Sequence, residues 1–322
     1  MTLFGLIGEP TPIQRTTDLL TEDHPHRPYP AEHRILYSAI LRGLIFIGLL
    51  LVSVVVFHGL WSAVQGSFWV SDVEFYLLEI LGTVVAYLVL VLLIESRRPP
   101  LELAPRRVLG LIKGFLLGAM LIGCSVGILA IIGGYRITGF NPGYNPWMDL
   151  LTVGLVAGIS EEILLRGILF RLVEEGLGSW GAVLISGGVF GFLHLSNPDG
   201  SVWGALAIAL EAGILFAAIY VITRSLWWCI GVHMGWNIFQ GPVFGSIVSG
   251  TGEQNSWLIP AFSGPDILTG GIFGMEASII PVILLGSLGI GLLIFAQRKG
   301  LMILPIWTRK SRLRGSTISE QA

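Results

Sequence analysis

Apolar runs of membrane-spanning length recur along the chain from about residue 35 to residue 297, separated by short polar or turn-rich segments. A span needs roughly 20 mostly apolar residues. The candidates are Ile35–His58, Phe75–Ile94, Val108–Ile132, Met148–Leu172, Trp180–Leu195, Trp203–Ile222, Leu226–Val248 and Ala277–Ala296. The pattern predicts an all-α, polytopic transmembrane helical bundle of about eight spans. The fifth stretch is short for a full crossing. No internal repeat and no low-complexity segment interrupts the series.

Composition agrees with the pattern. Of 322 residues, 53% are hydrophobic and 12% charged, where a soluble domain carries about 25% charged residues. The net charge of -2 does not bear on a nucleic-acid partner, and none is expected because no basic face with interleaved aromatics is present. Cys124 and Cys229 both lie in apolar runs and read as buried thiols, outside any disulfide framework or zinc ribbon. Residues 1–34 read as a polar tail, without the basic-then-apolar order of a signal peptide.

Lys and Arg placement orients the spans. Arg15, Arg27 and Arg34 precede the first, Arg97, Arg98, Arg106 and Arg107 follow the second, and Arg171, Arg224, Arg298 and Lys299 end later ones. The tail adds Arg309, Lys310, Arg312 and Arg314, whereas the loops 59–74, 133–147, 196–202 and 249–276 hold only Arg136. Because cytoplasmic loops accumulate Lys and Arg, both termini are expected in the cytoplasm. The chain then divides into a tail (1–34), three accessory helices (35–147), a helical core (148–248), a non-cytoplasmic loop (249–276), and a last helix with a basic cytoplasmic tail (277–322).

Ionisable side chains within spans cost about 2.5–3.5 kcal/mol each on insertion scales and are functional candidates by default. Here they cluster: "GISEEILLRGILF" holds Glu161, Glu162 and Arg166, "FGFLH" runs from Phe190 to His194, and "HMGWN" runs from His233 to Asn237. Residues four apart share a helix face, so Glu162 and Arg166 pair in the favourable order. Glu161 lies about 140° around from Arg166 at about 100° per residue. With no partner on its own helix, it is left to face the intramembrane histidines. A desolvated carboxylate beside a histidine suits proton transfer, and histidine and asparagine can donate to a developing oxyanion. No activated serine or cysteine is evident, which favours water as nucleophile and hydrolysis as the reaction.

Structural roles compete with these. Glu162–Arg166 alone is a salt bridge within the bundle, and a lone membrane histidine is commonly interhelical glue. Glu79 and Glu211 read as packing or cavity residues. Gly154/Gly158 and Gly187/Gly191 are four-spaced small residues suited to close helix contact. Two other classes of function use the same residues: a proton-coupled transporter with Glu161, His194, Glu79 and Glu211 as a relay, and a non-catalytic scaffold or immunity protein.

"EEILLR", "FGFLH" and "HMGWN" fit EExxxR, FxxxH and HxxxN, and over about residues 148–245 the chain resembles the CPBP family of CAAX proteases and bacteriocin-processing enzymes, also called Abi. The resemblance implies an intramembrane endopeptidase acting on a membrane protein or lipidated peptide, in a multi-pass integral membrane protein (of the cell membrane if prokaryotic). It implies that Glu161 and His194 activate water and that His233 and Asn237 form the oxyanion hole, with Glu162, Arg166 and Phe190 in support. The family is often labelled metalloprotease. Glu161, His194 and His233 could hold Zn2+ with one position open. With no HExxH present, and asparagine a poor zinc ligand, no cofactor is the preferred expectation.

Overall fold

The computed structural model describes residues 38–66, 70–95, 97, 100–252 and 255–308. The expected polar tail, the start of the first span, Arg15, Arg27, Arg34, Arg98 and the basic tail from Arg309 lie outside the described residues. Long helices dominate: α1 Ala39–Gln65, α2 Asp72–Ile94, α3 Leu109–Ile131, α4 residues 147–177, α5 residues 179–193, α6 Val202–Thr223, α7 residues 226–243 and α8 Ile279–Arg298. Five of these segments are long and apolar enough to cross a membrane: α1, α2, α3 with its preceding turn, α6 and α8. Of the five, α6 is the most enclosed and α1 the least.

Local chemistry sets the ends. Helix α1 outruns its expected end at His58, because the apolar run weakens there but the chain meets no stop before Gly66, whose φ of 68° caps the helix. Ser71 and Glu74 form a capping box on α2. Between α4 and α5 the chain turns at Gly178, with φ 73° and ψ 178°. A Cβ there would lie 2.6 Å from the carbonyl oxygen of Ile303, so the tail segment 301–305 packs against the turn. Arg107 closes the α6 C-terminus, donating from Nη1 to the carbonyls of Thr223 (3.2 Å) and Arg224 (2.8 Å).

The centre of the bundle is α7, which packs on α3 along glycines. A Cβ on Gly118 would stand 2.2 Å from the carbonyl oxygen of Val232. One on Gly235 would stand 2.1 Å from that of Phe115. At Gly158, where α4 meets α7, an added Cβ would lie 2.5 Å from the Met234 side chain and 3.5 Å from backbone, and Gly187 and Gly191 bring α5 onto α6.

The end of the bundle rich in Lys and Arg is tied by buried ion pairs. Glu95 joins Arg42 (3.0 Å) and Arg171 (2.7 Å), Arg97 joins Glu102 (2.7 Å), and Arg224 holds Glu174 (2.5 Å). Burial alone would raise the Glu102 carboxyl, but the guanidinium groups of Arg97 and Arg171 outweigh it and bring it to about 2.

The opposite end departs from an all-helical reading. Tyr135–Phe140 (β1) pairs antiparallel with Leu258–Phe262 (β2), from Tyr135↔Phe262 to Phe140↔Leu258. The pairing joins segments far apart in the chain, which local periodicity cannot reveal. Cys229 is buried as expected, whereas Cys124 sits on the exposed face of α3; both thiols are free.

Candidate active site

Four helices and two loops line a cavity of about 300 Å³. Glu161, His194, His233 and Asn237 all line it, with Tyr76, Thr152, Asn197, Val248, Ser249 and Thr251 among the other walls. The geometry follows from the two adjacent glutamates. Glu161 is partly exposed to the cavity, whereas Glu162 is fully buried behind it. Over 150–161 and 163–170 the helix is π-wound, so successive side chains turn by less than the 100° of an α-helix. The two glutamates still diverge, and Glu162 still meets Arg166 (2.9 Å).

Arg166 is fully buried between the rings of Phe190 (4.9 Å to the centroid) and Phe216 (5.2 Å). A desolvated cation over an aromatic face gains about 2 kcal/mol, so the two phenylalanines help Glu162 hold the charge. Phe190 also stacks edge-on against His194 (centroids 5.0 Å apart) and His233 (5.8 Å). It therefore links the EExxxR and FxxxH segments physically.

Each histidine has one ring nitrogen committed. Nδ1 of His194 lies 2.7 Å from the carbonyl oxygen of Phe190. A carbonyl only accepts, so Nδ1 carries the proton and Nε2 keeps its lone pair. Nδ1 of His233 lies 3.1 Å from Oε1 of Glu162 and donates to it. Glu162 is therefore more than half of a salt bridge, since the oxygen that takes Arg166 also orients His233. Asn237 donates from Nδ2 to the carbonyl of Val153 (2.9 Å), leaving its second N–H unused by that bond.

The fifth stretch, short for a full crossing, is a short helix that starts after the Gly178 turn. At about 1.5 Å per residue, 179–193 rises only about 22 Å, short of the roughly 30 Å hydrocarbon core. His194, in the turn that ends α5, therefore stops level with the cavity instead of beyond it.

The fit to a metal was tested on the same residues. Glu161, His194 and His233 share the cavity, yet among the described residues no three His, Cys, Asp or Glu side chains converge closely enough to hold a metal ion. As arranged, they do not fit zinc. The two other membrane glutamates separate. Glu79 faces Glu161 closely enough for their charges to interact. Glu211 is fully buried off the cavity, both its oxygens unpartnered, with Glu276 as its charged neighbour.

Sequence reasoning missed Glu276 as a support. Its Oε2 accepts from the amide N–H of Ser249 (3.2 Å) and from Nε2 of Gln240, and its Oε1 accepts from the Ser249 hydroxyl (3.1 Å). It thereby fixes the 248–251 wall. It also missed that the predicted span Val108–Ile132 packs on α7, although "GLIKGFLLG" places Gly110, Gly114 and Gly118 on one helix face, a readable sign of close packing.

No curated protein and no solved structure shows significant similarity to the chain. Residues 143–239, which hold all four cavity residues and the EExxxR, FxxxH and HxxxN segments, match the family of Rce1-like type II CAAX prenyl endopeptidases. With its membrane-spanning helices, the chain is a multi-pass membrane protein whose segment 143–239 belongs to the Rce1-like type II CAAX prenyl endopeptidases of the CPBP family.

Proposed function

We propose that the protein is an intramembrane endopeptidase that hydrolyses a peptide bond in a membrane-associated protein or peptide, with Glu161, His194, His233 and Asn237 as its catalytic residues. The observation that carries this reading is the single cavity those four side chains line, with both histidine Nδ1 atoms engaged elsewhere. Glu161, with Nε2 of His194 accepting a second hydrogen bond, holds a water and takes its proton as the oxygen attacks the carbonyl carbon. The oxyanion receives the unused N–H of Asn237 and an Nε2–H of His233. To give that N–H while Nδ1 donates to Glu162, His233 acts in this scheme with both ring nitrogens protonated. Glu161 then returns the proton to the leaving nitrogen as the C–N bond breaks.

The eight helices are read as eight crossings with both termini in the cytoplasm, because the buried and exposed Lys and Arg side chains gather at one end of the bundle. Residues 148–248 form the catalytic core, and 35–147 and 277–322 its surrounding helices and tail. The test is Glu161→Gln. It is expected to abolish peptide hydrolysis by purified protein while leaving the thermal unfolding midpoint near that of the wild type. Hydrolysis at the wild-type rate would remove Glu161 from the mechanism. In parallel, chelation followed by dialysis is expected to leave activity unchanged, with no stoichiometric metal by elemental analysis. Loss on chelation and recovery with zinc would replace water held by Glu161 with metal-held water.

A further inference from the structure

A second cavity, of about 430 Å³, lies beside the β1–β2 pair and shares none of its lining with the first. Small-molecule sites run from about 300 to 1,000 Å³, so its size is that of a ligand site. Ile247, Pro260 and Phe262 give it an apolar side, and Ser246, Asp266 and Thr269 bring polar groups. The strand register fixes the apolar side. Phe262 pairs with Tyr135, and their rings meet edge-on with centroids 5.3 Å apart. Tyr135 is buried and ties this face to the bundle, donating from its hydroxyl to the carbonyl of Phe244 (2.9 Å). Side chains alternate along a strand, so Arg136, the next residue of β1, stands on the opposite face. It is the one basic residue of the loops 133–147 and 249–276, and it is turned away from the cavity.

Asp266 is the charged group of the opposite side. A Cβ added to Gly271, itself in the lining, would lie 2.9 Å from its Cγ and 3.1 Å from its Oδ1, so the carboxylate is laid over that glycine. The short helix Asp266–Thr269 closes without it. The amide of Gly270 donates to the Asp266 carbonyl (2.7 Å), and the amide of Gly271 donates to the Thr269 hydroxyl (3.3 Å). Among the described residues, no Lys, Arg or His lines the cavity or pairs with Asp266. A carboxylate and an aromatic ring thus share one half-apolar cavity that holds no counter-charge. An organic ammonium ion satisfies both: the carboxylate offsets its charge, the ring attracts it, and the apolar side covers its methyl groups. A phosphate on the same ligand would meet no positive group in the walls and would be repelled by Asp266.

We propose that this second cavity is a binding site for a small organic ammonium ion of the choline class, free of phosphate. The site is separate from the endopeptidase reading and stands or falls without it. The test uses full-length protein in maltoside detergent, titrated with choline, with dimethylbutanol (the uncharged carbon isostere of choline) and with phosphocholine. Binding is read by saturation-transfer NMR on the ligand. Saturable choline binding is expected, with the isostere and phosphocholine each weaker by about tenfold or more. Equal binding of choline and the isostere overturns the ammonium assignment. Phosphocholine bound as tightly as choline overturns the exclusion of phosphate. No saturable binding of choline overturns the proposal as a whole.

Two variants place the ligand in the cavity. Asp266→Asn is expected to lose about tenfold in choline affinity at an unchanged unfolding midpoint, since the carboxylate has no partner among the described residues to lose. Phe262→Leu keeps an apolar side chain but no ring face, and it is expected to weaken choline while leaving the isostere as it was. Choline affinity unchanged in both variants overturns the location, whatever the wild type binds. Should either variant fail to fold, the other decides, and the comparison of choline with its isostere on the wild type needs neither.

Discussion

Oε1 of Glu162 is shared by two groups from different helices: Nη1 of Arg166 at 2.9 Å and Nδ1 of His233 at 3.1 Å. Glu162 is held by Arg166 within the bundle, and its carboxylate in turn sets the face that His233 turns to the cavity. The second glutamate of EExxxR thus acts through its neighbour's partner rather than on substrate.

Glu162→Gln should therefore lose on two counts. Removing one member of a buried ion pair costs about 3–5 kcal/mol, which should appear as a lower unfolding midpoint and yield. The fraction that folds should also turn over more slowly, because the His233 ring loses the carboxylate that orients it. Normal turnover per folded molecule would leave Glu162 a purely structural residue. Active-site titration alongside thermal unfolding separates the two.

Asn237→Ala should slow turnover by roughly a hundred- to a thousandfold, the usual loss for one oxyanion donor. KM should scarcely move, since the donor acts mainly in the transition state. A rise in KM with unchanged kcat would instead assign Asn237 to positioning through its bond to Val153.

Much of this site was legible because its parts are local. The divergence of Glu161 from Glu162, and the Glu162–Arg166 pair, need only helix spacing. The depth of His194 was less legible, because it depends on the left-handed Gly178 turn and its contact with the distant tail segment 301–305. The Glu162–His233 bond, the Glu276–Ser249 clamp and the β1–β2 pair join distant segments, so no spacing rule announces them. The π-winding of α4 also escaped, since apolar periodicity does not distinguish it from an α-helix.

Gly235→Val should disrupt the α3–α7 contact severely. Even a single Cβ there would lie 2.1 Å from the carbonyl oxygen of Phe115, a backbone atom that cannot rotate away. Overpacking costs about 1–3 kcal/mol even where side chains can adjust, so this change should fall at or above that range. Gly123→Val on the open face of α3, where an added Cβ meets nothing within 4 Å, should be tolerated. Comparable unfolding midpoints for the two variants would show that α3 and α7 are not held at glycine distance.

The Glu102–Arg97 pair predicts an acid dependence. Because the folded-state carboxyl sits at about 2, below its ordinary value, its stabilisation is present above the ordinary carboxylate range. It is lost as pH falls through about 2. Glu102→Gln should be less stable than wild type by about 3–5 kcal/mol at neutral pH, and the gap should narrow steadily on acidification. Denaturant titrations from pH 7 downward measure this directly. A gap that stays constant with pH would exclude Glu102 as the titrating group.

The glycine contact between α3 and α7 has a bearing on what counts as the enzyme. His233 lies between Gly231 and Gly235, both pressed to the backbone of a helix that precedes the matched segment 143–239. The segment that carries the family's signature is thus not a self-standing module that could be excised or grafted into another scaffold. Its inheritable unit is larger, because any exchange of residues 143–239 must carry a compatible α3 with it. An added Cβ at Gly114, Gly118, Gly231 or Gly235 would meet backbone of the facing helix, so no side-chain change across the contact can make room for it.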